Sequence, residues 1–478
     1  MSHSNTKSSE NKAPNTQTSG IEALKLALPP SSWTQDPDII APHLSEWRDK
    51  YFGQTPIMLT PRSTQDVVTA VKVCAQYGLK IMPQGGNTGL VGGNTPQGEI
   101  LLSLKNMTAI RDINPLAGSM VVEAGLTVQA VHDAVDKHNK IFPMLISSQG
   151  SCTIGGILST NAGGNHVLKY GTTKELVFGV EAVLADGRIF NGLTNLRKDN
   201  TGYDLNRLFL GAEGTLGIIT AASLKLFPKP GYVQRALIAV DSAAAAVQLL
   251  EPLRAGGRLA MFEVMPAIGY RAVVDNIDAA RDPFSAAHPW YILADWDVDS
   301  ASGGQALAEK HLSPHLETGL IRDAIIAQSD THAQDLLTIR ENMSAGQKFL
   351  GGSIKHDITV PIDKIPDFFK LADNAMQRII PDCRPVGFGH FGDGNIHYNI
   401  TQPIEMNRDE FLAQWDTLSQ PIFDIIDSLG GSISAEHGIG IMKKQDLSCR
   451  ADPVKIAIMK TLKKALDPDN MMNPRVMI

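Results

Sequence analysis

Cysteine is scarce: Cys74, Cys152, Cys383 and Cys449 are the four in 478 residues, and none falls in a CxxC pair. That excludes a cysteine zinc knuckle and a dithiol redox motif. It suits a reducing cytosol, where thiols act as small buried apolar groups. No run of about 18 apolar residues occurs, so no membrane-spanning helix is expected. Long basic blocks are absent too, and the net charge is −7, which argues against nucleic acid or an anionic membrane surface as the main partner. The first glycine-rich loop, residues 83–96, is not GxGxxG and no GK[ST] follows it, and HExxH is absent from the chain, so neither nucleotide fingerprint applies to that loop and the metalloprotease helix is missing. Residues 1–20 (MSHSNTKSSENKAPNTQTSG) lack an apolar stretch and arginine. They read as a disordered tail, not a secretion signal or transit peptide, and the expected location is cytoplasmic.

The most informative stretch is GFGHFGDGNIHYNI, Gly387–Ile400. Asp393-Gly394 is a strong type I′ turn signal. A turn there sets His390 opposite His397 and Phe388 opposite Asn399, with both histidines and Asn399 on one face. Opposed imidazoles are close enough to hold one cation. Ser434-Ala435-Glu436-His437-Gly438 adds a carboxylate and a third imidazole. Two histidines and a carboxylate make an open metal site; read alone, the stretch equally suits a polar hairpin with unrelated histidines.

Upstream, Ser63-Thr64-Gln65-Asp66 reads as a helix start, Val67, Val71 and Cys74 follow at helical spacing, and Gly78 ends the helix. Strands at 57–61 and 79–83 flank it, a βαβ unit with parallel pairing. Three glycine-rich loops come next: PQGGNTGLVGGNTP (83–96), SSQGSCTIGGILSTNAGG (147–164) and NTGYDLNRLFLGAEGTLGII (200–219). Glycine lets amides close on an anion. One such loop could simply be mobile; three in one unit imply a long ligand such as a dinucleotide.

These loops, with YGTTKELVFGVEAVLADG and LFLGAEGTLGIITAASLKLFPKP, resemble the FAD-binding domain of the vanillyl-alcohol oxidase/p-cresol methylhydroxylase fold. GFGHFGDGNIHYNI, SAEHGIG and DPDNMMNPRV resemble the D-2-hydroxyacid dehydrogenase branch, which holds D-lactate, glycolate and D-2-hydroxyglutarate dehydrogenases. The resemblance implies an α+β chain: a two-subdomain FAD-binding domain over 21–231, an α+β substrate and metal domain over 232–438, and a helical segment, 439–478, returning to the flavin. It implies that Gly85, Gly86, Asn87, Thr88 and Gly89 wrap the pyrophosphate. Ser148, Gly150, Thr153, Gly156 and Asn161 would line the flavin and ribityl chain, Gly214, Gly217 and Ile219 the adenine half or ring edge, and Asn473 the isoalloxazine. The family commonly reads NPGK where this chain has Asn473-Pro474-Arg475-Val476. His166 and Cys152 are nearby candidates for covalent attachment, but non-covalent FAD is expected.

In the second domain, apolar runs at 235–240, 290–296 and 354–360 alternate with helical segments at 243–253, 302–317, 332–350, 364–379 and 407–429. Arg340 alone reads as a surface arginine paired with Glu341. The resemblance makes Arg340, Ser344, Lys355, Asn399 and His437 substrate contacts, and His390, His397 and Glu436 ligands to a divalent metal, in the family usually zinc. His437 then acts as general base while Cα hydride passes to FAD. The expected reaction is oxidation of D-2-hydroxyglutarate to 2-oxoglutarate, with D-lactate or glycolate as alternative substrates. A zinc hydrolase and a non-catalytic flavoprotein subunit are the readings from other classes. An electron-transfer flavoprotein, quinone or cytochrome would accept the electrons, and a homodimer is compatible with the chain.

Overall fold

The computed structural model describes residues 16–478. Ser63 caps helix Thr64–Tyr77 by accepting from the Asp66 N–H, and Gly78, at φ +66°, ends it, as the local signals predict. This helix links Met58–Leu59 to Ile81–Gln84, and both strands run parallel to Ile100–Ser103, which lies between them. An antiparallel sheet follows, ordered Ile110–Asn114, Ser119–Glu123, Ile218–Lys225, Val177–Val183, Ile189–Asn191. One apolar core runs from Ile21 to Leu226 and includes Met471 and Met472. The last pair arrives there because Met472 bridges to Ile81.

The remaining chain builds an antiparallel sheet ordered Leu259–Pro266, Trp290–Val298, Tyr232–Val240, Asp323–Ile326, and a smaller one ordered Ser353–Thr359, Asn395–Thr401, Arg384–Phe388. Helices Ala243–Arg254, Ala301–Glu317 and Ile365–Ile379 contribute buried apolar faces to a second core. The α+β class expected from the sequence holds.

Several local expectations change. The tail ends sooner than residue 20: helix Thr16–Ala27 buries Gly20, Ile21 and Leu24. A Cβ on Gly20 would lie 2.8 Å from Leu79, so this helix is seated on the following element. The expected tail residues 1–15 lie outside the described residues. The segment expected to be helical over 332–350 breaks at Asn342 into Asp330–Glu341, Met343–Gly346 and Gln347–Leu350. That over 407–429 divides into Arg408–Leu412 and Trp415–Ser428.

The hairpin register also differs. Phe388 pairs with His397, not Asn399, and Val386 pairs with Asn399. Of Asp393-Gly394 only Gly394 takes positive φ, +88°, so no type I′ turn forms. Instead the strand stops at Phe388, and Gly389 crosses to bridge Val264 of the neighbouring sheet. His390 therefore sits in a wider loop and not on the strand.

Candidate active site

The Gly389–Val264 bridge brings His390 against Glu263. His390 Nδ1 lies 2.5 Å from Glu263 Oε1, and Arg340 Nη2 lies 2.7 Å from Glu263 Oε2. The Arg340 guanidinium also lies over the Phe388 ring, 5.1 Å from its centre, and it does not pair with Glu341. Glu263 is 1% exposed. Burial alone would raise its carboxyl, but His390 and Arg340 hold it down at about 2. Burial would lower the His390 imidazole, and the Glu263 charge overrides that, holding it at about 9.

The strand pairing Ser353–Thr359 with Asn395–Thr401 sets Lys355 opposite Asn399 and Asp357 opposite His397. Alternation puts all four on one face. Asp357 accepts the backbone N–H groups of Glu436 (3.0 Å) and His437 (2.8 Å), which delivers the SAEHG loop to that face. Buried, Asp357 would be pushed up; His437, Lys443 and His397 keep it well below the usual carboxylate range. Burial pushes His437 down to about 4 against the pull of Asp357, so its imidazole is neutral.

Asp357, His397, Glu436 and His437 each offer a ligand atom within 4.8 Å of the others. His397 and Glu436 of the expected ligand set are thus brought together. His390 stands beside them, its ring centre 5.6 Å from that of His397, with Nδ1 committed to Glu263. A carboxylate behind a histidine is the usual support of a metal ligand, and the Glu263–His390 contact supplies one. The donor set of imidazoles and carboxylates fits a divalent ion. Glu263 and Asp357 escaped the sequence reading. Each is a lone acid inside an apolar strand run, MFEVM and IKHDITV, and that was the available signal.

Of the other expected substrate contacts, Lys355 and Asn399 are cross-strand partners on that face. Asn399 is buried and donates to Gln347 Oε1 at 2.8 Å. Ser344 is exposed, and Lys355 is half-buried.

The glycine loops press together. A Cβ on Gly85 would meet Thr153 Oγ1 at 2.4 Å, one on Gly86 the Ser151 carbonyl at 1.9 Å, and one on Gly214 the Pro83 ring at 2.5 Å. Thr153 caps helix Ile154–Thr160 toward Gly156, and Asn161 ends it in the left-handed region. Asn87 (φ +54°) ties its loop to the carbonyls of Pro42 and Ser45; Thr88 and Gly89 are half-buried beside it. Ser148 accepts the N–H groups of Ser151 and Cys152 through its carbonyl, and Gly150 faces open space. Gly217 packs on Phe209, and Ile219 pairs with Ala182 inside the sheet. The Asn473 amide donates to the Gly93 and Glu213 carbonyls. The Oδ1 atoms of Asn473 and Asn94 are buried without a hydrogen-bond partner, so this cradle keeps polar capacity for a ligand and fits a flavin nucleotide. A Cβ on Gly163 would lie 2.8 Å from Glu436 Oε2; the cradle and the acid–histidine group adjoin.

Residues 55–192 match the FAD binding domain family, and residues 229–477 match the C-terminal domain of FAD linked oxidases. The chain is 34% identical over 458 residues to "D-2-hydroxyglutarate dehydrogenase, mitochondrial" of Arabidopsis thaliana, covering 95% of this chain and 80% of that one. It is 36% identical over 466 residues to the Bos taurus protein of that name, covering 96% and 83%. It is 32% identical over 456 residues to "D-2-hydroxyglutarate dehydrogenase" of Xanthomonas citri pv. viticola, covering 95% and 96%. Substrate-bound p-cresol methylhydroxylase superposes with a TM-score of 0.75 at 17% identity, covering 98% of this chain and 97% of that one. At that identity the likeness concerns fold. No helix among the described residues is long and apolar enough to cross a membrane.

Proposed function

The chain belongs to the FAD-linked oxidase family and is an FAD-dependent oxidoreductase, and from that premise we propose that it oxidises D-2-hydroxyglutarate to 2-oxoglutarate with the help of a bound divalent metal, zinc being one of the ions that imidazole and carboxylate donors suit. The observation that carries the reading is His437, neutral, half-buried and held by Asp357 beside Glu436. Its Nδ1 faces Asp357 at 3.5 Å, which leaves Nε2 to take the substrate hydroxyl proton. His390, His397 and Glu436 would hold the metal, whose Lewis acidity would polarise that hydroxyl. FAD, when bound, supplies the acceptor for the Cα hydride.

The loops at 85–89, 148–161 and 214–219, with Asn473, hold the flavin of unit 21–231, and Arg340, Ser344, Lys355 and Asn399 of unit 232–438 orient the acid. FAD is held non-covalently, since burial raises the Cys152 thiol and weakens it as a nucleophile. Four free cysteines support a reducing, cytoplasmic setting, although the plant and cattle relatives are named mitochondrial.

The test is anaerobic bleaching of the flavin by D-2-hydroxyglutarate and by D-lactate, before and after a chelator. Bleaching by the diacid that chelation abolishes supports the reading. Bleaching by D-lactate alone moves the substrate, and full activity in metal-free enzyme rejects the metal. His437→Ala should keep bound flavin and lose turnover.

A further inference from the structure

Three cations near the site lack an ion pair among the described residues, although the charges of Glu46 and Asp357 reach Arg48. The side chains of Arg48, Lys348 and Lys355 make neither an ion pair nor a hydrogen bond there. Arg48 comes from the flavin-side segment and not from the cap. Ser45 bridges Phe52 across a tight loop, and the Glu46 carboxylate grips its tip by accepting the N–H groups of Arg48 (3.0 Å) and Lys50 (3.2 Å). Asn87 of the first glycine loop holds the base of this segment through the Pro42 and Ser45 carbonyls. On the other side, Lys50 Nζ sits 3.9 Å from the centre of the Trp415 ring, and Trp415 lines one small cavity together with Lys355 and Lys443. The loop is therefore held by Asn87 on one side and packed on Trp415 of unit 232–438 on the other. It places Arg48 where its charge is felt by Lys355, His437 and Lys443.

The nearby acids and lysine are otherwise engaged. Asp357 is occupied by the Glu436 and His437 amides. Lys443 is satisfied by the carbonyls of Asp357 and Ile433. Arg340 is largely neutralised by Glu263. Lys355 feels the positive charges of Arg48 and Lys348, which Glu46 and Asp357 offset only at Arg48, and an anionic ligand relieves that repulsion.

Distance matches one ligand class. Lys355 is two residues along its strand from Asp357, roughly 7 Å. The two carboxyl carbons of a five-carbon diacid are roughly 5 Å apart over four C–C bonds, within reach of a lysine side chain. Resting on the 2-hydroxy-acid oxidation proposed above, we propose that Arg48, with Lys355 and Lys348, forms the subsite for the carboxylate remote from the oxidised carbon, so that the loop before the first glycine motif selects diacids over monoacids.

Arg48→Met and Arg48→Lys enzymes, both checked for flavin content, test it. The ratio of kcat/KM for D-2-hydroxyglutarate over D-lactate should fall about 30-fold in Arg48→Met, mostly through KM, and recover in part in Arg48→Lys. Glutarate, which has no hydroxyl to oxidise, is the binding probe read by calorimetry. Its affinity should fall by a similar factor in Arg48→Met. Unchanged glutarate affinity, or no glutarate binding by the native enzyme, overturns the subsite. A native enzyme that binds glutarate through Arg48 yet is reduced by no D-2-hydroxy acid keeps the subsite and overturns the proposed reaction instead.

Discussion

Glu263 stands between two cations, sharing one oxygen with His390 and the other with Arg340. Removing the shared carboxylate strands the Arg340 guanidinium without a counterion and takes away the charge that holds the His390 proton, which costs far more than the pair contributes. Glu263→Gln should therefore destabilise the fold by about 3 kcal/mol. Adding Arg340→Met should return part of that loss, since it deletes the stranded charge. Denaturant titration of the three proteins checks both statements, and equal midpoints would reject the coupling. Asp357 holds backbone as well as charge, accepting the Glu436 and His437 amides beside His437, Lys443 and His397. Asp357→Asn should leave the fold largely intact and lower metal content or turnover about 10- to 100-fold, read by elemental analysis and kcat; native metal content and rate in that variant would rule out a supporting role.

The glycine loops give the element-scale contrast. Gly86 has no room for a Cβ, which would meet the Ser151 carbonyl at 1.9 Å, while at Gly150 nothing lies within 4 Å. A backbone carbonyl cannot swing aside as a side chain can. Gly86→Ala should purify without FAD or not fold, and Gly150→Ala should purify yellow with normal flavin content. Two colourless proteins would mean that Gly150 approaches the flavin directly. These loops were legible in the sequence because glycine spacing is a backbone signal. So was the helix between Ser63 and Gly78, whose two ends are both local. The hairpin was half legible: the two histidines do meet, but the register was not foreseeable from Asp393-Gly394. It is set by Gly389 crossing to Val264, a partner 125 residues earlier in the chain. Glu263 and Asp357 were missed for the same reason, since their function comes from strands that pair at long range.

At the scale of the whole molecule, the chain closes by tying its last residues to the first sheet. Met472 bridges Ile81, Asn473 joins Gly93 to Glu213, and Arg475 Nε lies 2.6 Å from Glu99 Oε1. Arg475 is where this chain departs from the NPGK pattern, and here the arginine serves as a clasp. Burial would raise the Glu99 carboxyl, but Arg475 and the Gln97 N–H override it and hold it below the ordinary value. A carboxyl depressed in the folded state stabilises fully above its unfolded value of about 4.3 and loses that contribution as pH falls through the folded value. The pair is partly open to solvent, 31% and 6% exposed, so its worth is about 1 kcal/mol. Glu99→Gln and Arg475→Met should each cost about that much at pH 7, and the difference from native protein should shrink steadily as acid protonates Glu99. Urea titrations of the three proteins across the acid range measure it. A gap that stays constant with pH would assign the clasp to packing of the arginine stem instead of charge.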